Sequence, residues 1–573
     1  MTSDEHTDVV VVGAGHNGLV CANYLARAEL RVQVVEARPI IGGACTSEEL
    51  IPGGTFSSCS FIQMMLQSEI VVDLELEKYG LRSVAPEMQE MAIWEDGDHV
   101  FLWQQIDRTL KSVERHNKPD GANFMRFATR LQRFGDLTRH MHLSDPPSVE
   151  HLESVFSDAG ESDLFEEFIL LSAEELIERY IESDRLRGLM MFMGMVSTWG
   201  GPRTPGTAYV YGYHAQGEFE GHFGRYGLPE GGMGAISGAL QNGLEAHGGS
   251  VRTGAPVREV RVENGTATGV VLESGEVISA KIVVSNADPI RSLVDLLPEG
   301  ALPPEVRAAA RGISTGGSMA RIHLLIDELP DYVGFPAGEQ GPQHQGLVIL
   351  GPSPAGYEKA WQAEKRGAFP DDYVIEALIP SVTHPGLCEP GLHTLSLGVQ
   401  QLPFELAEGD WHNRKEEWAD LVMAIYSRYA PNIREHTRGR HVITPLDLDR
   451  EYNITGGNIF HMSMVGTEHL FANRPIPAAS GYRTPVANYF LCGSGSHPGG
   501  GVSGAPGHNA AHRILADLAG EYDLAATRAK ESQGAVVGGL LNTEIGQKFG
   551  YQIARSRVFR TLSERLNRTS KFD

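Results

Sequence analysis

The sequence predicts an α/β fold: one domain built on a mainly parallel sheet, discontinuous along the chain, with an α+β domain inserted into it. Three features predict it. A β-branched run, Val9–Val12, opens into a glycine-rich turn, a helical stretch and a second strand. A hairpin-rich stretch from Gly249 to Ser285 supplies further strands. A third segment, Asn488 to Leu515, again runs strand, glycine-rich loop, helix.

The first element is a buried parallel strand, because four consecutive β-branched residues suit a strand covered on both faces. Gly13-Ala-Gly15-His16-Asn17-Gly18 follows it, then a helix from Leu19 to Ala28 and a strand from Arg31 to Val35, closed by Glu36. In this G-x-G-x-x-G turn, Gly13 permits the reversal and Gly15 lets a pyrophosphate approach the backbone. Gly18 lets the helix lie close on the strand. The helix start offers free N–H groups and a positive dipole end to phosphates. Glu36 stands 23 positions after Gly13, where an acid accepts both ribose hydroxyls. With all parts in register, this is a Rossmann-type dinucleotide unit. An acid at 36 argues against a 2′-phosphate.

Glu36-Ala37-Arg38-Pro-Ile-Ile-Gly42-Gly43-Ala44-Cys-Thr46 resembles the flavin-dependent amine oxidase and phytoene desaturase superfamily, which places a Gly-Gly pair soon after the ribose acid. The resemblance implies that the cofactor is FAD. It also implies contacts from His16, Asn17, Ala37, Arg38, Gly42, Gly43 and Ala44. The superfamily closes its FAD site with a motif like Asn488-Tyr-Phe-Leu-Cys-Gly493 and the loop after it, which leads into a helix from about Gly504. The resemblance then puts Gly493 near the pyrophosphate and Gly501, Val502 and Ser503 along the flavin ring. A helix start aimed there stabilises the negative charge of reduced flavin. Gly499 to Gly504 also spells G-x-G-x-x-G, but its strand ends at Gly493 and Pro498 interrupts the approach. A second nucleotide site is not expected.

Between these segments, Leu228 to Gly234 introduces a helix running to about His247. Asn264-Gly265 and Ser274-Gly275 are hairpin turns between alternating strands, and Ile282 to Ser285 is a further strand. By resemblance, Val257 meets the adenine through its backbone. The Rossmann-type FAD-binding domain is therefore expected over 1–75, 216–290 and 481–520, and the α+β substrate domain over 76–215 and 291–480. Residues 521–573 are expected to form a helical C-terminal extension.

Gly15 to Ala22, Arg38 to Leu50, Leu74 to Leu81 and His497 to His508 resemble the phytoene desaturase-like branch, which holds carotenoid desaturases and β-carotene ketolases. This implies hydride removal from an apolar, isoprenoid-like substrate to flavin, with oxygen or a quinone as electron acceptor. An amine oxidase, or a flavoprotein acting as a regulatory or binding partner, stays open. Among individual residues, His497 is the candidate acid or base near the flavin, while His508 and His512 read as helix packing. Cys492 reads as core. The run Leu189 to Val196, rich in Met, suits either helix core or a substrate tunnel. Trp199 is expected to end that helix near the flavin.

Composition narrows the rest. A net charge of −25 on 573 residues disfavours nucleic acid as a partner. The five cysteines are scattered with no C-x-x-C pair, so neither a disulfide framework nor a metal site is expected, and a reducing, cytoplasmic setting fits. From the polar, acidic start no signal sequence is expected, and no apolar run is long enough to span a membrane. The tail from Lys548 to Asp573 carries seven Lys/Arg against two acids, with Val558, Leu562 and Leu566 at helical spacing. Such a helix suits peripheral contact with an anionic membrane, docking on its own acidic domain, or a subunit contact in a homo-oligomer.

Overall fold

The computed structural model describes residues 7–519, so the C-terminal extension and its basic tail lie outside the described residues. Strand Thr7–Val12 sits inside a seven-stranded sheet. Parallel pairing runs from Ser250–Arg252 through Val32–Val35 and Thr7–Val12 to the second half of Val277–Ser285, and on to Tyr489–Leu491. The first half of Val277–Ser285 turns into an antiparallel meander with Thr266–Leu272 and Val257–Glu263. Asn264 (φ 50°) and Gly265 (φ 78°) form one of its hairpin turns, where both central residues must take positive φ.

Val9, Val10 and Val11 are fully buried because both faces of this sheet are covered. On one face lie the helices His16–Arg27, Gly234–Ala246 and Ala505–Ala519. Two boundaries differ from expectation. The first helix starts at His16, not Leu19, because Gly15 already takes the extended N-cap conformation. The strand read as Ile282 to Ser285 begins at Val277, since its first residues pair with the meander instead of the parallel core.

The second sheet also has seven strands, in the order Thr437–Ile443, Ser318–Ile326, His393–Leu402, Ile375–Leu378, Leu347–Leu350, Met88–Ile93, His99–Trp103. Neighbours are antiparallel except Leu347–Leu350 against Met88–Ile93. Alternation sets its faces. Ile322, Val348 and Ala377 pack under the helix Trp411–Tyr429, with Trp418 and Tyr426. Arg321, Leu347 and Glu376 point the other way, towards a cavity shared with the first sheet. A helical layer drawn from residues 106–215 closes the side of that cavity around Phe127, Phe134 and Phe168. No helix among the described residues is long and apolar enough to cross a membrane.

Candidate active site

Strand Thr7–Val12 ends at Gly13, whose φ of +96° costs a glycine little. The helix His16–Arg27 follows, capped by Gly15 with no side-chain bond. The N–H groups of its first turn therefore lack a capping partner, and Gly15, His16 and Asn17 line the cavity. Gly18 does not line it. A Cβ there would lie 2.3 Å from the Gly13 carbonyl oxygen, so Gly18 lets the helix rest on the turn.

Glu36 ends the second strand. Its carboxylate accepts the Ala14 N–H at 2.7 Å on one oxygen and the Arg38 N–H at 2.9 Å on the other. Burial pushes its pKa up, and these backbone donors pull it back. Each oxygen keeps capacity for a further bond, which is what a pair of ribose hydroxyls requires. Ala37 and Arg38 continue the wall. Arg38 donates to Glu48 at 2.7 Å and lies 4.2 Å from the Tyr452 ring centroid, which orients its guanidinium.

The cavity measures about 540 Å³ and joins all three sequence segments. Val257, with Ala255 and Arg258, lines it beside Glu36. Gly42, Gly43 and Ala44 run along its middle, where Gly42 bridges to Gly15. Gly501, Val502 and Ser494 come from the C-terminal loop. That loop is stapled to the N-terminal turn: the His16 ring nitrogen Nε2 lies 3.1 Å from the Gly501 carbonyl, and Asn17 donates to Ser494 Oγ at 3.2 Å. Gly507 has its α-carbon so close to the first helix that a Cβ would stand 2.1 Å from the Asn17 carbonyl oxygen.

Gly493 and Ser503 do not line the cavity. Gly493 packs on the Asn286 backbone, and Ser503 Oγ accepts the Ala505 N–H at 3.2 Å at the start of the last helix. His497 is not at the cavity either. It is buried, and its Nε2 bonds the Met141 carbonyl at 2.9 Å. Trp199 packs edge-on against Trp361, with ring centroids 4.7 Å apart, and is likewise absent from the wall. His508 meets Tyr24 edge-on and His512 packs tilted against it, both as helix packing, and Cys492 is core. The run of methionines divides: Met191 and Met195 are fully buried in the helical core, whereas Phe192, Met193 and Val196 line the cavity.

Two further wall residues, Asn286 and His461, were not singled out in the sequence. Asn286 packs under the glycine turn; a Cβ on Gly15 would lie 2.6 Å from its Nδ2. Its position, immediately after a parallel strand, is where open α/β sheets form their crevice, and that clue was available. His461 lies in an irregular loop with φ of +66°, lines the cavity, and leaves Nδ1 buried without a partner. Burial drives its pKa down to about 3, so the ring is neutral.

Buried polar atoms on this wall without a hydrogen-bond partner among the described residues include Arg38 Nη1, Asn17 Oδ1 and His461 Nδ1. Native proteins rarely leave such atoms bare. With the uncapped helix start and the ribose-type carboxylate, they fit a cofactor bearing hydroxyls and phosphates.

A dinucleotide-binding sheet that shares one cavity with a second, mixed sheet defines a flavin-dependent oxidoreductase class. The chain belongs to the family described as flavin containing amine oxidoreductase, whose model matches residues 18–515. Pyridine nucleotide-disulfide oxidoreductase domain-containing protein 2 of Rattus norvegicus is 33% identical over 545 residues, covering 89% of this chain and 94% of that one. The neurosporene-forming phytoene desaturase of Cereibacter sphaeroides is 26% identical over 562 residues, covering 91% and 96%. An oxidoreductase from Methanosarcina mazei shares the fold, with a TM-score of 0.56 at 18% identity over 89% of this chain and 100% of that one. The chain stands in the phytoene desaturase-like branch of the superfamily, and its cofactor is FAD.

Glu36→Ala tests the nucleotide end. Loss of a buried acceptor of charge-assisted bonds costs about 1.5–3 kcal/mol, so the FAD dissociation constant should rise about tenfold to hundredfold. Titrating the stripped protein with FAD measures this; an unchanged constant would remove Glu36 from the site.

Proposed function

We propose that the protein is an FAD-dependent dehydrogenase or desaturase that takes hydride from an apolar, isoprenoid-like substrate and passes the electrons to oxygen or a quinone. One observation carries the reading: away from the nucleotide end, the cavity wall is built of Phe61, Met65, Phe192, Met193, Leu347 and Ile459. Such a wall excludes water and holds a C–H bond in place by shape. Bound FAD supplies the hydride acceptor. In this reading Glu36 holds the ribose. The first turn of His16–Arg27, with Gly42 and Gly43, holds the pyrophosphate. Gly501 and Val502 lie along the ring.

The phytoene desaturase relative supports the apolar substrate. Anaerobic mixing of the holoprotein with a panel of terpenes, polyenes and amines, followed by flavin absorbance, tests it. Bleaching by a terpene or polyene is the expected result. Bleaching by amines alone would overturn the reading in favour of an amine oxidase, and bleaching by nothing would favour a binding or regulatory flavoprotein.

A further inference from the structure

We infer that the ion pair Arg321–Glu376 on the apolar wall recognises a hydroxyl group, so that the substrate is an amphiphile with one alcohol end and not a bare hydrocarbon. This rests on the apolar-substrate reading above and narrows it.

The pair is a built feature of the second sheet. Arg321 on Ser318–Ile326 and Glu376 on Ile375–Leu378 are both in register with Gly398 on the strand between them. Two strand spacings separate their backbones, about 10 Å, and the side chains meet over the glycine. A Cβ at 398 would lie 1.8 Å from Arg321 Nη1 and 2.1 Å from Glu376 Oε1, so a larger residue there would displace the pair. Both residues are more than nine-tenths buried, at 4% and 6% exposure.

Three of the five polar atoms are used within the protein. Arg321 Nη1 bonds Glu376 Oε1, and Arg321 Nε donates to the Cys59 carbonyl at 2.9 Å. Gln400 Nε2 also donates to Glu376 Oε1 at 3.1 Å, and its own Oε1 accepts the Ser197 N–H at the end of the methionine-bearing helix. The guanidinium lies 3.5 Å from the Phe61 ring centroid, which fixes its plane. Arg321 Nη2 and Glu376 Oε2 bond nothing among the described residues, and both residues line the cavity.

A donor and an acceptor of one oriented ion pair are thus left free on the cavity wall beside apolar neighbours such as Phe61 and Leu347. A ligand that drives water from the cavity loses affinity if it leaves either atom unpaired and keeps it if it pairs both. A hydroxyl does so, donating to Oε2 and accepting from Nη2. A carboxylate meets Glu376 with like charge, and an ammonium meets Arg321. Burial and the nearby Glu376 push the neighbouring Glu90 up to about 8, so at neutral pH it is largely protonated and adds little charge.

Four probes with one isoprenoid chain test this on the holoprotein: farnesol, farnesene, farnesoic acid and farnesylamine, each titrated while flavin absorbance is followed. Farnesol should bind at least tenfold tighter than farnesene, with the acid and the amine weaker than farnesol. The double variant Arg321→Met/Glu376→Leu should keep farnesene affinity within about twofold and lose the preference for farnesol. Equal binding of farnesol and farnesene, or a preference that survives in the double variant, overturns the inference while the apolar-substrate reading stands. Tightest binding of the acid or the amine also overturns it. Binding of no probe defeats the apolar-substrate reading and the inference together. Should the double variant lose FAD, the wild-type ranking alone decides.

Discussion

Acidification from pH 6.5 to pH 5 should cost the folded protein several kcal/mol. Six buried histidines carry the effect, His461 at about 3 among them. Burial holds His16, His214 and His497 down at about 4, and His142 and His323 at about 3. In the unfolded chain each regains a pKa near 6.5. Below that pH the unfolded state binds more protons than the folded one, so stability falls as pH drops, by up to about 1.4 kcal/mol per unit for each group. Buried carboxyls oppose this: burial also raises Glu36, Glu69 and Asp288, and two others are raised most. Glu90 is pushed up to about 8 and Glu364 well above the carboxylate range, both by burial. They bind protons in the folded state across the same window, so acidification favours folding through them. The six strongly lowered histidines outweigh the two strongly raised carboxyls and leave a net loss, set against total stabilities of about 5–15 kcal/mol. Thermal unfolding followed at pH 7, 6 and 5 should show the midpoint falling, most steeply below pH 6.5. His323→Gln should flatten that slope by about one proton. A midpoint that holds or rises between pH 6.5 and 5 would contradict the account.

The second large effect belongs to Arg474. Its side chain is completely buried with no carboxylate at bonding distance among the described residues. It donates to four carbonyls instead: Ser463 at 2.9 Å and His469 at 3.2 Å through Nη1, Phe460 at 2.8 Å and Ser494 at 2.9 Å through Nη2. Burial lowers even this guanidinium to about 10. Phe460 and Ser494 line the cavity, so one cation fixes two parts of its wall. Arg474→Met removes four charge-assisted bonds and strands their acceptors, at a cost of about 3–5 kcal/mol. Arg474→Lys keeps the charge but loses the planar fork and should fall between. Denaturant unfolding and the flavin content of purified protein report both consequences; a Met variant with wild-type midpoint and full flavin would contradict this role.

The sequence made the cofactor end of the site legible because that end is built from backbone. Gly13, Gly15, Gly42 and Gly43 are needed where side chains cannot fit, and Glu36 must follow a strand by a fixed interval. Such demands leave a pattern along the chain. Gly18, Gly493 and Ser503 belong to the same motifs, yet they act beneath the wall, where spacing alone does not separate contact from support. His497 illustrates the opposite limit: its place in a flavin motif suggested chemistry, but its ring turns to the Met141 carbonyl. Arg321, Glu376 and His461 were invisible because their meeting depends on strand register and loop path. A buried arginine within Ser318–Ile326 looks like any other arginine until Gly398 is known to lie beside it.

The contact between Asn17 and Gly507 also has a consequence for biosynthesis. The glycine turn leaves the ribosome about 490 residues before the segment that completes its surroundings. At about 5–20 residues per second, the gap is about 25–100 s. During that interval the turn lacks Gly501, Ser494 and the last helix. Stable capture of flavin therefore belongs to the end of synthesis or after it, and a chain halted before residue 507 leaves the ribosome without a complete site.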